Sequence, residues 1–446
     1  MKKAKRVSLS LLLILAMTFA MTSCASSVRT AAPVAQPNGS SAAESSSAGP
    51  AEKVTLKIYA QYSDDSEKVP YDYAKTAMQK IMPEVELELI QQAQDDDQKI
   101  KTYAAAGNLP DIFGTNLNLI RTFQESGNIL QLDPYVKELG VDEIFLDSAK
   151  STLYDEDGHI YAIPNDTAWV SGLFYNKAVF EKYDVTPPKN IDELVAAVEV
   201  FRKNDIIPLA IFAKEKWPGV QLFDMIASRE NSLGILGLEK SDAKASDAAY
   251  SKAAEKIKRL VDAGMVAPGA FNMGYDEALA LFVEGEAAML INGGWATLDL
   301  GPKMGDNAGL LIYPFADPGQ EEIAKVNMSG GGSIGGYAVS PHSKYKDLAA
   351  KFAIQFSLKA AEGRVVKRGT IPILKNSPEP EIPYTQIQQD YIEMVSQAKS
   401  TTAFPWGMSN TKIRTALEDN VQRLLTGDYT VNDFIADTDK VIASAR

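Results

Sequence analysis

Apolar and polar residues alternate along Val54–Ala60 (VTLKIYA) and again over 85–90, the period of a half-buried strand. Between them Tyr73, Ala77 and Ile81 recur at helical spacing, so 66–81 is predicted to be a helix. Residues 95–106 open on Asp95, Asp96 and Asp97 and stop at Gly107, as a helix with acids at its positive end does. A short apolar run ending at Phe113 completes a β-α-β-α-β order, which predicts an α/β lobe with a largely parallel sheet. In such sheets ligands sit beyond the carboxyl ends of strands, here at Gln61, Tyr62, Asp64, Thr115 and Asn116. Further on, Asp157-Gly158 reads as the turn of a hairpin over 153–163. The spacing predicts strands over 206–212, 287–291 and 335–340. Helices are predicted over 191–203, 252–263, 275–284, 345–358, 410–426 and 431–445. No short-period repeat interrupts this order, and two α/β lobes are the economical expectation.

The N-terminus has another character. Lys2, Lys3, Lys5 and Arg6 precede an uncharged stretch, 7–28, whose apolar part runs from Leu9 to Met21. That length is short for a membrane span and right for an export signal. The small residues Thr22 and Ser23 leave the backbone before Cys24 open to a peptidase. Met21-Thr22-Ser23-Cys24 resembles a bacterial lipoprotein signal with Met in the usual Leu position. That resemblance implies loss of 1–23 and a lipid on Cys24, the only cysteine. Removing the four cationic residues would take the formal charge from −13 to −17. Residues 24–52, rich in Ser, Ala, Pro and Gly, cannot bury enough surface to order themselves and read as a tether. The globular body is expected from Lys53.

Composition narrows the chemistry. At 446 residues, two to three folding units are expected. A charge of −13 argues against a nucleic-acid partner, which needs a basic face. One cysteine and two histidines, His159 and His342, exclude an intrachain disulfide, cysteine-rich metal sites and histidine cages.

Several short motifs invite sharper readings. Gly330, Gly332 and Gly335 satisfy G-x-G-x-x-G, but the residues after them read as a strand, whereas a dinucleotide site needs a helix N-terminus there. Gly331, Ser333 and Gly335 match a hydrolase elbow, yet no helix follows Ser333 and His342 lies too near. Asp95–Asp97 and Asp155–Gly158 lack the alternate ligands of a calcium loop and read as a helix start and a turn. A glycosidase needs two carboxylates flanking a bond, and 58 acidic residues leave that pair open.

The four tryptophans, Trp169, Trp217, Trp295 and Trp406, are predicted in loops rather than on helical stripes. An indole stacks on the C–H face of a sugar ring, while hydroxyls need polar partners at the rim. Gln61, Asp64, Asn116, Asp166 and Asn292 are the candidates for that rim. The plainer alternative is a tryptophan plugging a core gap.

Three stretches together carry a resemblance: 102–111 (TYAAAGNLPD), 161–164 (YAIP) with 173–180 (LFYNKAVF), and 285–296 (GEAAMLINGGWA). With Gly336–Ser340, Ala349–Phe352, Phe404-Pro405-Trp406 and Ile413–Ala416, they resemble the extracellular solute-binding protein family 1 over the whole body. That family includes maltose and oligosaccharide receptors of ATP-driven importers. The resemblance implies a two-lobed periplasmic-binding-protein-like fold, type II, with a ligand cleft between lobes and crossovers near 163–164, 314–318 and 372–383. The lobes would be 53–163 with 317–375, and 164–316 with 376–446. It further implies a receptor without cofactor or catalysis that binds a carbohydrate and docks to permease subunits; a monomer is expected, and the signal ending at Cys24 implies that it is lipid-anchored on the outer face of the cell membrane. In the family an aromatic at the places of Trp295 and Trp406 commonly touches sugar. A secreted polysaccharide hydrolase and a surface glycan adhesin are the rival expectations.

Overall fold

The computed structural model describes residues 53–63, 65–93, 97–150, 152–155, 157–167, 169–331 and 335–446. Cys24, the expected signal and tether, and Asp64 lie outside the described residues. Strands run in chain order as β1 (Val54–Ala60), β2 (Val85–Gln91), β3 (Ile112–Asn116), β4 (Ser171–Asn176) and β5 (Ile207–Ala210). They continue as β6 (Ala287–Gly293), β7 (Ala308–Leu311), β8 (Asn327–Met328), β9 (Gly335–Val339) and β10 (Ser400–Thr401).

The first sheet has the order β2-β1-β3-β9. β1 lies parallel to β2 and β3 because the helices Asp65–Ile81 and Gln98–Ala105 carry the chain back between them. β9 arrives from the other lobe and pairs antiparallel with β3. The helix Lys346–Arg368 packs across Asp65–Ile81, with the Phe356 and Tyr71 rings 5.2 Å apart. That helix runs ten residues past its expected end at 358, because Ala360, Ala361, Gly363, Arg364 and Val365 are buried there and packing holds the extra turns despite Gly363. It stops at Gly369, whose φ of 64° is the left-handed turn that glycine adopts freely.

The second sheet has the order β5-β6-β4-β7, with β4 antiparallel to both neighbours. Every residue of β6 is buried, so the strand faces core on both sides. The helix Trp217–Ala227 is buried from Pro218 to Ala227, and its two polar side chains, Gln221 and Asp224, are hydrogen-bonded within the core. The helices Ala248–Asp262, Thr411–Thr426 and Val431–Ala445 supply Tyr250, Leu417 and Phe434 to the same core.

Two expectations are corrected. A turn does form at Asp155–His159 (Asp155 N to His159 O, 2.8 Å), but no strand flanks it among the described residues. Ile163 bonds Tyr337 of β9 instead, and Ile160 O accepts from Leu132 N. The second return was expected at 314–318, with 317 onward in the first lobe. Instead Phe315 and Met328 are buried in the second core, and β8 pairs with β10. The chain rejoins the first sheet only at Gly335. The local kink at 313–315 is a tight turn within the second lobe, where Tyr313 has φ of 45° and Phe315 N bonds Tyr313 O at 2.7 Å. Near the third junction, Ile373 packs in the first core and Ile387 beside the second sheet.

Candidate functional site

The four tryptophans, spread over 169–406 in sequence, meet in one place. Trp295 is the hub: its ring centroid lies 6.5 Å from Trp169, 6.1 Å from Trp217, 6.2 Å from Trp406 and 5.3 Å from Phe404. Phe404 and Trp406 stack at 4.5 Å and 10°, and Trp217 meets Trp406 edge-on at 4.9 Å. The Trp217 indole nitrogen donates to Glu215 at 2.9 Å, while Trp406 is 42% exposed. Local chemistry explains how the hub is set. A Cβ on Gly293 would come within 2.0 Å of the Trp295 ring, and one on Gly294 within 2.0 Å of Tyr391. Only glycines let the end of β6 pass between those two rings.

Facing this apolar cluster is a polar wall at the carboxyl ends of the first sheet. A hollow of about 210 Å³ is lined there by Gln61, Gln92, Thr115, Asn116, Asp166 and Arg364, with Glu67. It adjoins a second of about 270 Å³ that takes in Glu67, Asp166 and Arg364 together with Trp169, Trp295 and Asp299. Larger hollows near Lys303 (about 370 Å³) and Lys75 (about 520 Å³) lie against one lobe each and touch no tryptophan. The shared three residues are one ionic group. Arg364 Nη2 donates to Glu67 Oε2 at 2.8 Å, and Nη1 lies 3.4 Å from Asp166 Oδ2. Burial opposes the guanidinium charge, but the Asp166 and Glu67 carboxylates outweigh it and hold its pKa above the ordinary arginine value.

Two buried groups fix the strands that cross between the lobes. The Tyr391 hydroxyl accepts from Val170 N at 2.8 Å and donates to Val170 O at 2.9 Å. Ser171 N and Gly331 N bond Ser329 O and Trp169 O, which clamps the first crossing to the second. Asp224, wholly buried in the helix Trp217–Ala227, accepts from Ile235 N at 2.7 Å and from the Thr402 hydroxyl. Thr402 in turn accepts from Gly330 N at 3.0 Å. Burial pushes the Asp224 carboxyl up to about 6 against these hydrogen bonds. Phe404 and Trp406 therefore follow directly from a residue anchored to that acid.

The expected site residues fall into distinct places. Trp169 and Trp295 line the cleft, and Trp217 and Trp406 join them in the cluster. Only Trp169 is in extended loop: Trp217 opens a helix, and Trp295 and Trp406 sit in single 3₁₀ turns. Gln61, Asn116 and Asp166 line the polar wall, although Asn116 also caps the helix Leu117–Glu125 through Leu119 N and donates to Asp97 at 2.9 Å. Asn292 was expected on the rim and is not there. It is 1% exposed, its side-chain oxygen accepts from Gly293 N, and its backbone oxygen accepts from Gln221. Glu67, Gln92 and Arg364 are absent from the sequence-predicted candidates, and Phe404 is expected only as part of the Phe404-Pro405-Trp406 motif. Glu67 follows the first strand at the start of a helix, a position that signals it; Arg364 sits mid-helix with no local signal.

Two α/β lobes, with an aromatic wall from one and a polar wall from the other lining a cleft at the strand ends, define a ligand-binding receptor architecture. The chain belongs to the bacterial extracellular solute-binding proteins, whose family model matches residues 72–390. It is 26% identical over 257 residues to an uncharacterised ABC transporter extracellular-binding protein of Pyrococcus horikoshii, covering 54% of this chain and 56% of that one. It is 24% identical over 291 residues to the melibiose/raffinose/stachyose-binding protein MelE of Bacillus subtilis, covering 63% and 66%. The matches thus span just over half and just under two thirds of those relatives. Among solved structures, a chitin oligosaccharide binding protein superposes with a TM-score of 0.73 at 25% identity, covering 88% of this chain and 99% of that one. Among the described residues no helix is long and apolar enough to cross a membrane.

Proposed function

We propose that this chain captures a carbohydrate, an oligosaccharide, in the cleft and delivers it to the permease subunits of an ABC importer. The observation that carries the reading is the convergence of Trp169, Trp217, Trp295 and Trp406 opposite a wall of carboxylates and amides. Indole faces bury sugar C–H surface, and fixed carboxylates accept from hydroxyls. The names of the relatives, which bind melibiose, raffinose, stachyose or chitin oligosaccharides, support the same class of ligand. Trp295, Trp406, Trp169 and Trp217 would stack, and Gln61, Asn116 and Asp166, with Glu67, would pair with hydroxyls.

In this reading the protein is a monomer held on the outer face of the cell membrane by a lipid on Cys24, with 24–52 as a spacer. The lobes close about the crossings at 163–167 and 329–331 and about the junction at 375–386, since a ligand gripping both walls favours the closed form by its differential affinity. No bond in the sugar is broken.

A thermal-shift screen against a sugar panel tests capture, because a ligand at 100 times its Kd adds about 2.7 kcal/mol of stability. Small-angle scattering at saturation then tests closure through a smaller radius of gyration. Cleavage of a bound glycan would instead establish a hydrolase, and binding with an unchanged radius a rigid adhesin.

A further inference from the structure

The ionic group in the cleft is ordered in depth. The Arg364 side chain is 9% exposed, against 23% for Glu67 and 35% for Asp166, so the cation stands behind its two anions. Its donors are turned onto the protein: Nε to Asn165 O at 3.1 Å, Nη1 to Ser66 O at 3.0 Å and Nη2 to Glu67. What this ionic group offers a ligand is therefore carboxylate, an acceptor with no proton to give, beside the uncharged amides of Gln61, Gln92 and Asn116. At the mouth Asp299 and Arg368 contribute one charge of each sign. At the far end Asp97 stands against the Asn116 amide. The sum is an excess of negative charge in a partly desolvated cleft.

We propose that Glu67 and Asp166 are specificity-determining residues that admit uncharged polyhydroxylated glycans and reject those bearing carboxylate groups. The inference rests on the carbohydrate reading above and adds the charge class of the ligand. A neutral sugar donates its hydroxyl hydrogens to both carboxylates. A uronic acid sets acceptor against acceptor and like charge against like, where solvent screens poorly.

The test is calorimetry and thermal shift on the full-length protein with maltotriose, raffinose, xylotriose and chitotriose, set against trigalacturonate and glucuronic-acid-substituted xylotriose. The expected result is that at least one neutral trisaccharide binds and both acidic ones bind at least about tenfold more weakly, the scale of one charged hydrogen bond. In the Glu67→Gln, Asp166→Asn double variant that gap should close by about tenfold, since each amide keeps an acceptor oxygen for Arg364 but loses the charge. If the double variant does not fold, Asp166→Asn alone, at the more exposed position, gives the same readout. A uronate that binds the native protein as tightly as the best neutral sugar overturns the inference and leaves sugar capture standing. A gap unchanged in the variants overturns the role of these two residues. Silence from every sugar, neutral and acidic, overturns the carbohydrate reading and the inference with it.

Discussion

Replacing Trp406 by alanine separates what its ring does for a ligand from what it does for the fold. The residue is 42% exposed, on the order of 100 Å² of a side chain of ~250 Å². If that face stacks on sugar, its burial is worth about 2.5 kcal/mol at ~25 cal/mol per Å². Losing it should weaken binding by about 60-fold. The covered remainder, ~150 Å², lies on Phe404, Trp217 and Trp295, and its loss should cost the unliganded fold about 3–4 kcal/mol. On the proposed reading Trp406 serves as a cleft face as well as a packing element, and both quantities should fall together. Titration calorimetry with the best sugar of the panel measures the first, and urea melts without sugar the second. Full loss of fold stability with unchanged affinity would make Trp406 a packing residue alone and remove it from the binding wall.

Gly294→Ala should cost the fold at least about 2 kcal/mol, since its methyl would enter the Tyr391 ring at 2.0 Å; a urea melt like that of the native chain would refute the close approach. For Asp224, the native pKa of about 6 exceeds the unfolded value of 3.8, so the folded chain holds the proton more tightly and this group's contribution to stability is lost as pH rises from about 4 to 6. Asp224→Asn removes that term. The variant should gain about 2 kcal/mol relative to the native protein between pH 4.5 and 7.5, and a difference independent of pH would refute the assignment. Cys24→Ala should release the protein from cells or leave it unprocessed, and fatty-acid labelling that persists in the variant would rule out the anchor.

Strand and helix order was legible in the sequence where one face of each element is wet. β1 alternates over its first five residues, with Thr55 and Lys57 exposed, whereas β6 is buried on both faces, so nothing in its pattern tells which way Asn292 points. Without such an alternation, the end of the strand alone points Asn292 to the rim. The prolines at 314 and 318 resembled a junction, but a turn inside a lobe uses the same residues, and only the burial of Phe315 and Met328 tells the two apart. The tryptophans were legible as candidates one at a time. Their meeting was not, because it depends on β6, on Thr402 held by Asp224, and on a helix starting at Trp217, three elements with no sequence proximity. Arg364 was invisible for the opposite reason: its helix pattern is ordinary, and its meaning comes from Glu67, almost 300 positions earlier.

Because all four indoles of the chain stand in a single group of rings, the protein carries a built-in optical probe with one address. Excited at the long-wavelength side of the tryptophan band, where tyrosine absorbs little, their emission reports this one group of rings. It says nothing of the first sheet, which holds no tryptophan. An unfolding curve followed by that emission tracks the second lobe, while circular dichroism of the backbone tracks both. If the two lobes melt at different denaturant concentrations, the two signals will part, and native-sequence protein without any label will show which lobe lets go first.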